Sequence, residues 1–388
     1  MIELHPLVGH QEVRRSLVRA HRAAGLPAAI LLHGPRGIGK QRLALWTAQL
    51  QLCESSGEEG PCGHCRACRL ALGLEHPDLH WYFPLPRPKG VSGDRLGDAL
   101  ESARADALAE VRARPLRSSQ ADELRGLYFA LIQGLRRRAH RRPTMSPVQV
   151  FVIGDAEYLV PQESSPEAAN ALLKLLEEPP SGTRIILTSS EPGRLLPTIR
   201  SRSTPLLLSP LPVEQVAQFL EERTGANRKT AQWAARLGQG SIGRALGYLP
   251  DGDEPGPAEA LRREALGIVE AALAPGRADG WVGALSYPVA GARSLVELFS
   301  CVEEQLRDVG AVAAGCPDRV LGTDVLARLE DLVARAGVDA YRVADAFPAI
   351  EEARELARGN VNPQLIVSGL VRRLRRALGA GRSPVGRP

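Results

Sequence analysis

Four cysteines, Cys53, Cys62, Cys65 and Cys68, fall within sixteen residues, separated by eight, two and two others. Four thiolates are the ligand set of a closed tetrahedral metal site, which leaves no position for a catalytic water. The spacing reads as structural zinc, with an iron–sulfur cluster as the rival and free thiols as a third reading. Arg66 and Arg69 beside the last two cysteines favour thiolate over thiol. His64 reads as a spacer, although an imidazole could replace one thiolate. The remaining cysteines, Cys301 and Cys316, fall in helical patterns and are expected to be buried thiols.

A second constellation lies upstream. Gly34-Pro35-Arg36-Gly37-Ile38-Gly39-Lys40 follows a short apolar run and precedes a helical pattern that continues to Leu52. This is the spacing of a phosphate-binding loop in its required context. Gly34, Gly37 and Gly39 let backbone N–H groups turn inward, and the helix N-terminus adds partial positive charge. Lys40 would reach the β- and γ-phosphates. It is one of only four lysines, with Lys89, Lys174 and Lys229, in an arginine-rich chain, so its retention carries weight. The plainer alternative is a glycine-rich turn without a ligand.

The residue after that lysine should be Ser or Thr, whose hydroxyl ligates Mg²⁺. Here it is Gln41. A matching fault follows the apolar run at 148–153, which leads into Gly154-Asp155. On one alignment Gly154 replaces the metal-associated aspartate and Asp155 holds the catalytic carboxylate position. Shifted by one, Asp155 becomes the metal residue and Ala156 stands where the base belongs. The pair is incomplete on both alignments. Phosphoryl transfer depends on positioning and charge around Mg²⁺, so ATP or ADP is expected to bind weakly and hydrolysis to be inefficient.

Several elements must position these residues. Residues 11–24 have an amphipathic helical pattern, and 28–32, 148–153 and 184–188 read as buried strands. Residues 164–178 read as a helix: Ser164 and Glu167 have capping-box spacing, Pro166 suits the first turn, and Pro179-Pro180 ends it. Alternating short strands and helices imply a parallel sheet covered on both faces. Strand signals fade after Leu211. A small helical unit at 212–250, an acidic Gly/Pro linker and a helical region at 258–378 follow, and residues 379–388 are expected to be disordered.

At 388 residues the chain has room for two or three domains, and 4% aromatics imply Leu/Val/Ala cores. The net charge of +5 permits phosphate contact without demanding it. No apolar run is long enough to span a membrane, no secretory signal is recognisable at the N-terminus, and a cytoplasmic setting is expected. Residues 136–142 are rich in arginine and either track a nucleic-acid backbone or form a solvated helix face.

Together these features resemble the clamp-loader branch of the AAA+ family, with its delta-prime type nearest. The resemblance is strong over roughly residues 6–250 and weak beyond. It rests on His5-Pro6-Leu7-Val8-Gly9 continuing through His10 and Gln11, on the block Glu-Ala-Ala-Asn-Ala-Leu-Leu-Lys-Leu-Leu-Glu-Glu-Pro-Pro at 167–180, on the cysteine module followed by His76-Pro77-Asp78, and on Thr198-Ile199-Arg200-Ser201-Arg202-Ser203. In the last motif Ser203 replaces a family cysteine.

The resemblance implies a RecA-like α/β module (1–211) with an inserted zinc module at about 53–68, a long insertion at about 85–142, a helical lid (212–250) and an all-α collar (258–378). It implies that Arg202 is an arginine finger serving a neighbour's nucleotide, that Thr188 or Ser189 is a polar sensor, and that Arg244, within Gly240-Ser241-Ile242-Gly243-Arg244, is the lid arginine. The implied setting is a hetero-oligomeric ring that loads a sliding clamp on primed DNA within a DNA polymerase III (nucleotidyltransferase) complex. Gln41 and Gly154 depart from the hydrolysing members. The alternatives are an active gamma/tau-like ATPase subunit and a zinc-dependent DNA-binding module outside replication.

Overall fold

The apolar run ahead of the glycine loop is strand β1 (Ala29–His33), and its side chains alternate between two cores. In the computed structural model, residues 4, 7–23, 25–93, 95–116, 125–159, 167–274, 292–359 and 361–379 are described. His5, Pro6, Ser164, Pro166 and the tail from 380 lie outside them, as do the expectations attached to them. The expected apolar strands are present as β1, β5 (Gln149–Ile153) and β6 (Thr183–Ser189). Two further strands, β2 (Leu79–Tyr82) and β7 (Thr204–Leu207), join them in a wholly parallel sheet of order β2-β5-β6-β1-β7.

Both faces of this sheet are covered, as expected. Ile30, Leu32, Val150, Val152 and Ile186 face α2 (Lys40–Leu52) and α1 (Gln11–Ala23). Leu31, Phe151, Ile153, Ile185 and Leu187 face the other side. There α5 (Phe129–Ala139) and α6 (Glu167–Glu177) supply Leu131, Leu135, Leu172 and Leu175. Helix α4 (Arg95–Ala113) adds Leu100 to the same core, and β3 (Leu85–Pro86) pairs antiparallel with β4 (Arg125–Gly126) over two residues on either side of that helix. The helices within 85–142 are therefore packed into the core of the sheet.

Short helices α8 (Val213–Thr224), α9 (Arg228–Gly238) and α10 (Ile242–Tyr248) follow the sheet. The chain resolves into two compact units that divide after residue 246. The second is helical, with helices Pro257–Leu273, Ala292–Ala313, Leu326–Ala336, Phe347–Arg358 and Pro363–Leu378 around a core that includes Leu298, Phe299 and Leu370. Arg262 is buried in this unit, held by Glu259 at 2.7 Å and Asp324 at 2.5 Å. Cys316 corrects the expectation of a buried thiol. The helix ends at Ala313, Gly315 turns the chain with φ 71°, and Cys316 is exposed while Cys301 is partly buried.

Candidate functional site

The carboxyl ends of β1, β5 and β6 meet at the glycine loop, where open parallel sheets place their ligands. Gly34 has φ 146°, and a Cβ there would come within 2.3 Å of the Leu208 carbonyl oxygen. Gly39 has φ 100° and caps α2. Lys40 follows, buried. Its ammonium donates to the Gly34 carbonyl (2.9 Å), the Pro35 carbonyl (2.7 Å) and Ser190 Oγ (2.8 Å). Burial lowers the Lys40 pKa, and Asp155 and Glu157 oppose that shift.

Gln41 occupies the space where metal-side groups would meet. Its Nε2 donates to Asp155 Oδ2 at 2.9 Å. A Cβ on Gly154 would lie 3.0 Å from the Gln41 amide carbon, so the Gln41 side chain fills the room that Gly154 leaves. The two departures recognised in the sequence thus compensate each other. Position 154 and the Asp155 carboxylate both face Gln41. Asp155 adopts φ 48°, and its N–H donates to Thr188 Oγ1 at 3.0 Å. Of the two sensor candidates, Thr188 therefore touches Asp155, while Ser189 Oγ accepts from the Glu191 N–H.

Sequence reasoning did not single out Ser190 or Glu157. Glu157 is buried, and its Oε1 accepts the Ser190 N–H at 3.1 Å, which braces the residue that holds Lys40. The available signal was a glutamate four residues past the strand end. On the other side of the loop, Gly37 has φ 72° and its carbonyl accepts the Gly243 N–H at 3.0 Å. A Cβ on Gly37 would meet Ser241 Oγ at 2.4 Å and the Arg244 nitrogen at 3.1 Å. The Gly-Ser-Ile-Gly-Arg segment is thus brought directly onto the phosphate loop, and Ser241 Oγ accepts the Arg244 N–H.

Arg202 sits at the end of short helix α7 (Pro197–Ser201), partly exposed. Its guanidinium pairs with Glu177 at 2.9 Å and donates to the Thr198 carbonyl at 3.2 Å. Glu177 ends α6, so two separate sequence blocks meet there. Ser203, in the family cysteine's place, is buried and donates to the Ile199 carbonyl.

The four cysteines converge where α2 ends. Their sulfurs all lie within 4.8 Å of one another, and Cys62 and Cys68 are 3.9 Å apart. Metal–sulfur bonds of about 2.3 Å in a tetrahedron place sulfurs roughly 3.8 Å apart, so the set fits one metal ion. Each of three sulfurs also accepts a backbone N–H: Cys53 from Cys62, Cys62 from Cys65, and Cys65 from Cys68 at the start of α3 (Arg66–Leu72). The Cys65 N–H is the main cause that brings the Cys62 thiol down to about 5, while burial raises Cys53 and Cys68. A bound cation would favour thiolate at all four.

His76 and Asp78 leave this module and are buried. The Asp78 carboxylate accepts the N–H groups of Thr144, Met145 and Ser146 at 2.6, 2.8 and 2.8 Å, and His76 Nδ1 accepts the Asp78 N–H. The motif is a structural clamp at the amino end of β2 and β5.

A glycine loop between β1 and α2, at the carboxyl edge of this sheet and with its lysine in place, defines a P-loop module in which Gln41 stands where the loop pattern has Ser or Thr. The chain belongs to the family described as DNA polymerase III, delta subunit, whose pattern matches residues 9–212. It is 35% identical to DNA polymerase III subunit delta' of Pseudomonas aeruginosa over 175 residues, 45% of this chain and 40% of that protein. Against subunit delta' of Escherichia coli K12 it is 30% identical over 230 residues, 59% of this chain and 57% of that protein. The gamma/tau subunit of Mycobacterium tuberculosis aligns at 27% identity over 91% of this chain and 53% of that protein. The chain thus spans about half the length of the curated relatives it matches.

Proposed function

We propose that this chain is a delta-prime-like clamp-loader subunit: a ring member that does not hydrolyse ATP at its own site and helps ATP-binding partners open a sliding clamp and load it on primed DNA. The observation that carries this reading is the Gln41–Asp155 hydrogen bond in the space left by Gly154. That bond replaces a hydroxyl and a carboxylate that would hold Mg²⁺ by an amide that cannot serve the same role. Lys40 is satisfied by three oxygens of the chain itself, so nucleotide must displace those contacts and binds weakly. The cysteine set holds structural zinc, Arg202 serves a neighbour's nucleotide, and Arg244, whose backbone lies against the loop, is the lid arginine.

The second reading, a gamma/tau-like ATPase, draws support from the gamma/tau match over most of the chain and from the retained Lys40. Turnover of Mg²⁺-ATP by the purified chain separates the two. No turnover above background is expected. A rate near the median enzyme value of about 10 s⁻¹, abolished by Lys40→Ala, would establish the second reading instead.

A further inference from the structure

Residues 125–154 hold six arginines (Arg125, Arg136, Arg137, Arg138, Arg141 and Arg142) and no Asp or Glu. The chain has 49 Lys and Arg against 44 Asp and Glu. With these six set aside, 43 basic residues remain against 44 acidic ones, so the net positive charge of the whole chain resides in this stretch. Five of the six fall within seven residues, at the end of α5 and the turn after it. Three charges in a last helical turn suit the helix dipole. That account does not reach Arg141 and Arg142, which lie beyond the helix.

Several arginines elsewhere in the molecule are held by carboxylates. Arg104 is held by Glu101, Arg112 by Glu75, Arg194 by Glu191, Arg335 by Asp331 and Arg373 by Glu352. Among the described residues no ion pair involves positions 136–142, and Arg137, His140, Arg141 and Arg142 are exposed. The backbone that carries them is held firmly. Leu131, Ile132, Leu135 and Ala139 anchor the inner face of α5 in the core. Buried Gln149 spends its amide on the Ala139 carbonyl at 2.6 Å and the Arg141 carbonyl at 2.9 Å. Asp78 takes the three N–H groups of Thr144, Met145 and Ser146 on the far side of the turn. A merely solvated charge run needs no such bracing, whereas a binding surface gains from being held in place before its partner arrives.

We infer that residues 136–142 form a docking surface for the phosphate backbone of duplex nucleic acid, at the amino end of β5 and therefore opposite the glycine loop. Guanidinium forks match phosphate oxygens in pairs, and arginine keeps its charge at all working pH values. Residues 130–148 contain no Phe, Tyr or Trp on which bases could stack, so contact is to the backbone and independent of sequence. The inference does not depend on the ring reading, and its test uses the free chain.

The test is fluorescence anisotropy of a labelled 30-bp DNA duplex with the full chain, from 50 to 200 mM salt. Arg137→Ala/Arg141→Ala/Arg142→Ala should weaken binding at least about tenfold at low salt. It should also reduce the slope of log affinity against log salt by roughly 2 to 3, near 0.9 per lost phosphate contact. A control with the same net charge, Arg15→Ala/Arg19→Ala/Arg223→Ala, removes exposed arginines on α1 and α8 and should stay within threefold of the parent. Equal weakening by the two variants would reduce the effect to net charge and overturn the site. So would an absence of duplex binding at 50 mM salt, or tighter binding of polyglutamate, which would make the partner an acidic protein.

Discussion

Gln41 and Gly154 show how two substitutions can share one space. Under the proposed function each departs from a group that a magnesium site uses; together they leave a filled, hydrogen-bonded pocket. Gly154→Ala would push a methyl to 3.0 Å from the Gln41 amide and should cost about 1 kcal/mol, the scale of mild overpacking. In a Gln41→Ala background that cost should largely vanish, so a double-mutant cycle by urea unfolding should show coupling of about 1 kcal/mol. Strict additivity would mean that the two positions do not share the space. None of this was visible in the sequence, where the two residues stand 113 positions apart as independent losses. The glycines and Lys40 were legible because a short local spacing fixes their role. Ser190 and Glu157, which complete the lysine's surroundings, belong to no such spacing.

At the level of elements, the cysteine module and strand β2 carry the next expectations. Metal analysis of the purified chain should give about one zinc per molecule, and chelation should loosen α3, whose first turn is capped by Cys65. Less than about half an equivalent, with iron in its place, would sink the zinc assignment. Strand β2 holds His80 in a tilted stack on Phe151. Burial, then Arg138 and Arg104, with a smaller push from His76 against a pull from Asp78, bring its pKa down from 6.5 to about 4. The unfolded chain takes that proton near pH 6.5 and the folded chain resists it, so this stability is complete above pH 6.5 and lost as pH falls towards 4. From pH 7 to pH 5 the loss from this group should be about 2 kcal/mol. His80→Leu should flatten the urea midpoint over that range, and an unchanged slope would refute the assignment. β2 and β7 were not legible. Leu-His-Trp-Tyr is too short and mixed to stand out, and Pro205 argues against a strand except at an edge, where β7 lies. β1, β5 and β6 were legible because strands buried on both faces read as continuous apolar runs.

For the whole molecule, the proposed function poses the question of what a chain that does not hydrolyse ATP at its own site would contribute to a ring. Under the proposed function the contribution is Arg202. In the free chain its guanidinium pairs with Glu177, and both side chains are more than a third exposed. Such a pair is worth at most about 1 kcal/mol, so Arg202→Ala should leave folding and assembly intact. An exposed, weakly held guanidinium can exchange its carboxylate for a phosphate at little cost, and a forked cation suits the charge that develops in phosphoryl transfer. In other P-loop systems an arginine supplied by a partner is worth roughly 10³–10⁵ in rate. A ring with several sites should lose a smaller overall factor when one is affected. Arg202→Lys should rescue poorly, because an ammonium lacks the two-pronged geometry, whereas Glu177→Gln should leave turnover near the parent value or raise it by freeing the arginine. The measurement is DNA-stimulated ATP turnover and clamp loading by reconstituted rings, after gel filtration has shown that each variant assembles. If Arg202→Ala rings assemble, turn over ATP and load clamps at the parent rate, the arginine serves no neighbour and its pairing with Glu177 is its whole role.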